Sequence, residues 1–257
     1  MMAYETLIVE KEGNIGIIAL NRPPANSVNF ALLDDLDRAL DQFEEDKEVR
    51  ALIITGAGEK GFSAGFDVTE AARAAEIGNK GRAVFNRIER YPKPVVAAMN
   101  GYALGGGCEL AMACHFRVMV STEKAKIGCP EVNLGIIPGW GGTQRMPRLI
   151  GKTKAMDMLI FGKRINAPEA LNIGLINKVS QPGELMNDAK DLAHRLAKQA
   201  PLAVKAILES VTIGLETTLE EGLKVEGKNL NMVSSSKDAI EGITAFLEKR
   251  EAQFKGE

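Results

Sequence analysis

The stretch Asn100-Gly101-Tyr102-Ala103-Leu104-Gly105-Gly106-Gly107-Cys108-Glu109-Leu110-Ala111 puts three consecutive glycines between a strand-like run, Val95 to Met99, and a helix-forming one. Strands that alternate with helices in this way build an α/β fold, a largely parallel sheet covered by helices. Amides at the start of a helix lack partners within it and carry the positive end of its dipole, so this junction can hold an oxyanion. The same glycines would also serve a tight turn or close packing, and the stretch alone leaves both readings open.

Towards the N-terminus, Thr6 to Val9 and Ile15 to Leu20 read as strands joined by a turn over Lys11, Glu12, Gly13 and Asn14. Leu32, Leu33, Leu36, Leu40 and Phe43 recur at helical spacing between Phe30 and Phe43. Ala51 to Thr55 is a short apolar run ending at Gly56, expected to be a buried strand, and Pro92 and Pro94 introduce the strand at Val95. From about Glu184 helical periodicity takes over: Leu185 to Lys198, Pro201 to Leu215, Leu219 to Met232 and Lys237 to Lys249. Pro201 stands where a first-turn proline belongs, and Ser236 is an N-cap signal. The expected organisation is an α/β core over residues 1–183 and a helical region over 184–257 that packs on the core or on another subunit.

A chain of 257 residues, 45% hydrophobic and 26% charged, has the balance of one large globular domain with or without a small appendage. Its net charge of -2 gives no reason to expect nucleic acid or an anionic membrane as partner. Cys108, Cys114 and Cys129 have no C-x-x-C spacing, and their odd number argues against a disulfide framework. No secretory signal and no apolar run of about 18 residues is visible, so a soluble, cytoplasmic protein is expected.

Several chemistries are excluded by what the motifs lack. Gly56-Ala57-Gly58-Glu59-Lys60-Gly61 is followed by Phe62 instead of the Lys-Ser/Thr of a phosphate-binding loop, and no G-x-G-x-x-G has its strand and acid. Of the two histidines, His194 lies in a charge-rich helix and faces solvent, and His115 is a structural residue; neither accompanies a nucleophile elbow or zinc spacing. Carboxylates remain. Glu109 lies among Cys108, Leu110, Ala111 and Met112, where burial raises a carboxyl pKa. Glu131 is the lone acid of a glycine-rich, apolar loop running to Gly142. Either alone could be a salt-bridge partner or a cap; together, beside a glycine helix start, they suit paired acid/base work.

At these residues the chain resembles the crotonase (enoyl-CoA hydratase/isomerase) superfamily, closest to its enoyl-CoA hydratases. The resemblance runs from Asn21-Arg22-Pro23-Pro24-Ala25-Asn26 through Leu52 to Gly56, Phe62-Ser63-Ala64-Gly65-Phe66-Asp67, Ala103 to Ala113 and Pro130 to Arg148. It closes on Ala245-Phe246-Leu247-Glu248-Lys249-Arg250, so it covers essentially the whole chain. It implies a spiral of β-β-α turns with a C-terminal helical trimerisation region, commonly as a dimer of trimers. It also implies a CoA thioester substrate, with no metal and no cofactor besides the CoA. The backbone amides of Phe66 and Gly106 are then the oxyanion hole, Glu109 the base on water and Glu131 the acid towards the α-carbon. Substrate or CoA contacts carry over to Pro24, Ala25, Ala64, Phe66 and Asp67, and to Gly105, Gly106, Cys129, Pro130, Gly139 and Trp140. Phe254 and Lys255 carry over as tail contacts to CoA.

The sequence departs from the family pattern at several positions. His115 replaces a commoner aspartate, and the stretch from it to Lys126 is about two residues longer than usual. Phe66 is bulkier than the usual alanine, and Cys129 stands where a glutamine is frequent. Two placements of Cys129 stay open, one lining an acyl cavity made roomier for bulky or cyclic groups, the other packed into the core. Val68 to Arg82 resembles the variable segment that lines the acyl pocket. Both glutamates are present, which favours hydration. The competing readings are an enoyl-CoA isomerase or other crotonase-type reaction, and a non-catalytic scaffold or RNA-binding member.

Overall fold

The chain is described over residues 3–257 by a computed structural model, in which the strands from the third onward are dealt alternately to two sheets. The hairpin β1 (Leu7–Glu12) and β2 (Ile15–Leu20) is antiparallel and starts the larger sheet. β3 (Ala51–Gly56), β5 (Val95–Met99), β7 (Phe116–Val120) and β9 (Lys178–Ser180) then add in parallel, each beside the last. Between them β4 (Gly61–Ser63), β6 (Tyr102–Leu104) and β8 (Ile127–Gly128) form a second, three-stranded parallel sheet. Each turn of the spiral is thus a strand of the large sheet, a strand of the small sheet and a helix. The crossover helices after β4 and β6 are α2 (Ala74–Glu89) and α3 (Gly106–Ala113).

β1 runs three residues further than its apolar pattern predicts, leaving only Gly13 and Asn14 in the turn. It is an edge strand, where Lys11 and Glu12 point to water at no cost. The inner strands are buried on both faces and therefore read as continuous apolar runs. Their side chains divide strictly by parity. Leu20, Leu52, Ile54, Val95, Ala97 and Met99 face a core shared with α1 (Phe30–Glu45), α2 and α3. Ile15, Ile17, Ala51, Ile53, Val96, Ala98 and Val118 face the other way.

That second face is covered by α7 (Leu185–Ala197), through Leu185, Ala189, Ala193 and Ala197 at a spacing of four. Small residues along one ridge let this helix lie close on the sheet, so the first helix after Glu184 is part of the sheet's own core. Helices α8 (Pro201–Glu216), α9 (Leu219–Ser234) and α10 (Lys237–Glu248) follow it and behave differently. They bury few side chains within the chain and leave Ile207, Leu215, Leu219 and Leu230 exposed, with Phe246 82% exposed. Three short helices, α4 (Gly142–Ile150), α5 (Lys152–Ile160) and α6 (Ala167–Asn172), lie between β8 and β9. No helix among the described residues is long and apolar enough to cross a membrane.

Candidate active site

The loops that leave β4 and β6 meet at two glycines. Gly65 has φ +87°, and a Cβ there would stand 2.6 Å from the Gly106 nitrogen and 2.7 Å from the Leu104 oxygen, so only glycine lets the two backbones touch. Around it the amides are used up one by one. Ala64 donates to the Ala25 carbonyl (3.0 Å), Gly65 to Ser63 Oγ (3.1 Å) and Asp67 to the Val28 carbonyl (2.9 Å). Asn26, at φ +50°, anchors the facing loop by donating its amide to the carbonyls of Ala57 and Gly61. The amide of Phe66 donates to no described residue, and neither does that of Gly106 at the first turn of α3. Two unspent donors therefore lie side by side at a helix N-terminus.

Glu109 lies one turn into α3 and is 2% exposed. Its Oε1 accepts from the amides of Trp140 and Gly142, both at 2.7 Å. Burial raises its pKa, while the amides of Gly142 and Trp140 and the charge of Arg145 pull it partway back. Glu131 opens a 3-10 turn over Glu131–Leu134 that follows β8. A Cβ on Gly105 would lie 3.0 Å from its Oε1, which places the carboxyl against the glycines that start α3. Its Oε2 is buried with no partner. Burial, with the charge of Glu109 adding to it, pushes Glu131 up to about 7. A carboxyl half-protonated near neutrality thus faces a second one that is locked by backbone amides.

The loop carrying those amides is clamped from behind. Arg145, 5% exposed, donates from Nη1 to the Trp140 carbonyl (2.7 Å), and from Nε and Nη2 to Glu89 Oε2 (2.9 and 2.7 Å). Asn86 Oδ1 accepts from Nη2 as well, at 2.6 Å. The indole of Trp140 packs edge-on against Phe66 and Phe85, with centroids 6.1 and 5.4 Å away.

The profile of the family described as enoyl-CoA hydratase/isomerase matches residues 10–257. The chain belongs to that family. It is similar to a short-chain-enoyl-CoA hydratase of Clostridium acetobutylicum, 42% identical over 98% of each chain. A crotonyl-CoA hydratase of Syntrophomonas wolfei is 45% identical, over 98% of this chain and 99% of its own. Among solved structures, an enoyl-CoA hydratase from Bacillus anthracis superposes with a TM-score of 0.94 at 40% identity, covering 98% of this chain and all of the other.

Of the residues singled out by resemblance to the family, most gather here. Ala25 and Pro24 flank the loop bonded to Ala64, Pro130 precedes Glu131, and Gly139 and Trp140 belong to the loop that holds Glu109. The Asp67 side chain is committed elsewhere. It accepts from the Thr69 amide and hydroxyl and pairs with Arg22 at 2.6 Å, and these bonds hold its carboxyl below the ordinary value. Cys129 is 1% exposed in the core, its thiol beside Cys108 and 4.0 Å from the Gly105 carbonyl.

Phe254 and Lys255 are not brought to the site of their own chain. Phe254 lies with Asn14, Arg50, His194 and Lys198, where β2 and β3 begin, whereas the two glutamates follow β6 and β8, beyond the ends at which β5 and β7 finish. Six-residue strands span about 20 Å. The tail is fixed there by Asp238, which accepts from the amides of Lys255 (2.7 Å) and Gly256 (2.8 Å).

Sequence reasoning missed Arg145 and Glu89, whose only local sign is a charged residue in the helical run after Gly142. His115 is structural, as expected: its Nδ1 accepts from the Val95 amide, and burial pushes it down to about 4. Among the described residues no cluster of His, Cys, Asp or Glu side chains is arranged to hold a metal ion.

Proposed function

We propose that the chain is an enoyl-CoA hydratase that adds water across the 2,3-double bond of an enoyl-CoA thioester. The observation that carries this reading is the pair Glu109 and Glu131, one held by two amides and one with a free, buried Oε2 and pushed up to about 7, beside two unspent backbone donors. The thioester oxygen is taken by the amides of Phe66 and Gly106, which stabilise the enolate that forms when water attacks carbon 3. Glu109, its Oε1 fixed, takes the proton of the water; Glu131, protonated near neutrality, delivers one to carbon 2. Each carboxyl ends in the other's starting state, and one water exchanged between them resets the pair. The addition leaves the substrate's net oxidation state unchanged, so the reading requires no cofactor beyond the CoA carried by the substrate.

The exposed apolar faces of α8, α9 and α10 support assembly as a trimer or dimer of trimers. In that assembly Phe254 and Lys255 meet CoA only across a subunit boundary. A cytoplasmic location, with no nucleic-acid or membrane partner, accords with the charge of -2. The test is product analysis with crotonyl-CoA in ordinary water. A 3-hydroxybutyryl thioester supports the reading, and a shifted double bond without added water replaces it by isomerisation.

A further inference from the structure

We propose that Trp140 is the end wall of the acyl site and limits the enzyme to short acyl chains. This rests on the hydratase reading and deepens it by naming the substrate class. With the thioester oxygen on the amides of Phe66 and Gly106, carbons 2 and 3 lie between Glu131 and Glu109. The chain beyond carbon 3 then passes the Glu109 carboxyl. The residue whose amide holds that carboxyl is Trp140, so the growing end of the acyl chain heads for residue 140 and its indole.

The indole is fitted there from three sides. A Cβ on Gly106 would lie 2.2 Å from its Cζ3, and a Cβ on Gly81 would lie 2.6 Å from its Nε1. Phe66 and Phe85 close on it edge-to-face, and the residue is 5% exposed. Glycine at both 81 and 106 is what admits a ring of this size beside the oxyanion amides. Trp140 also lines a cavity of about 370 Å³ whose walls set Met112, Leu149 and Leu215 beside the charged Glu89, Arg145 and Arg148. The indole therefore separates the two glutamates from that cavity, and its own volume is the space that a longer acyl chain would need. Cys129 does not set the size of the site, because its thiol packs behind Gly105 against Cys108.

The experiment compares wild type with Trp140→Ala on 2-enoyl-CoA thioesters of four, six, eight and ten carbons. In wild type, kcat/KM falls by about 100-fold or more from four to ten carbons, and in Trp140→Ala the ten-to-four ratio rises by a similar factor. A flat wild-type profile, or a ratio unchanged by the substitution, overturns the proposal. If Trp140→Ala does not fold, Trp140→Leu, which keeps an apolar filler and removes the ring, is read by the same ratio.

Binding gives a second readout independent of turnover. Trp140 is the chain's only tryptophan, so saturated butyryl-CoA perturbs the fluorescence of wild type; by titration calorimetry, which also serves the variant without tryptophan, decanoyl-CoA binds wild type more weakly than it binds the variant. Equal affinities of decanoyl-CoA for both proteins overturn the end-wall role. Absence of crotonyl-CoA hydration by wild type would overturn the hydratase reading instead, and these affinities would still decide whether Trp140 limits the chain.

Discussion

Replacing Glu131 by Gln makes the enzyme more stable at alkaline pH and changes little at acid pH. The side chain is an acid whose ordinary value of 4.5 is pushed up to about 7 by burial. Between those values the folded protein holds a proton that the unfolded chain has released. Stability tied to this group is therefore complete below 4.5, falls as pH rises through the window, and is fully lost above 7. The shift corresponds to about 3 kcal/mol at ~1.4 kcal/mol per pH unit. The side chain keeps some contact with water, so roughly half of that, about 1.5 kcal/mol, is expected.

In a chain of this size that is a rise in Tm of about 3–6 °C at pH 8.5. The assay is thermal unfolding of wild type and Glu131→Gln from pH 4.5 to 8.5 at one protomer concentration, since assembly shifts Tm. Any fixed effect of the amide adds equally at every pH and cancels from the trend. A Tm difference that does not widen between pH 4.5 and 7 would refute the placement of Glu131 as a half-buried acid with one oxygen left unpaired.

Glu109→Gln lowers hydration by about 10²-fold or more with thioester affinity retained, because the substituted amide oxygen still accepts from Trp140 and Gly142; turnover near wild type rules out the two-glutamate mechanism. Arg145→Met strands the Glu89 carboxyl and the Trp140 carbonyl and costs about 3 kcal/mol in urea unfolding. It also moves the acidic limb of kcat/KM to higher pH, since the Arg145 charge holds Glu109 down; an unmoved limb means that the clamp is structural only. Sedimentation equilibrium at micromolar concentration should give a trimer or hexamer for wild type and smaller species for Phe246→Asp, and a wild-type monomer removes the assembly.

Sequence pattern reveals an element when the element is long enough to repeat. The apolar runs at Ala51 and Val95 and the helical spacing from Leu32 to Phe43 are such cases, and the structure reproduces them to within two residues. The small sheet is not legible, because β4, β6 and β8 have two or three residues each, too few to show an alternation. Glu109 and Glu131 stand out as single acids in apolar surroundings, a signal that burial itself creates. What holds Glu109 does not stand out, because Trp140 and Gly142 act through their amides and Arg145 grips the Trp140 carbonyl, and a main-chain group has no letter in the sequence. Asp67 misleads for the complementary reason: its neighbours in sequence suggest substrate, and its actual partner Arg22 arrives from a distant loop. Likewise the alanines of α7 look like those of any amphipathic helix until the sheet that they cover is in place.

The bonds that complete the catalytic pair join residues far apart along the chain. Glu109 is tied to positions 31 and 33 residues later, and Glu89 to Arg145 across 56. Closing loops of that length is entropically costly and is repaid only when both ends are already structured. A nascent chain that has left the ribosome as far as Ala113 carries the amides of Phe66 and Gly106 and the Glu109 carboxyl, but neither of the amides that fix it. Activity regained on refolding therefore reports the docking of the Trp140–Arg145 segment on α2 and α3, which secondary structure alone does not supply.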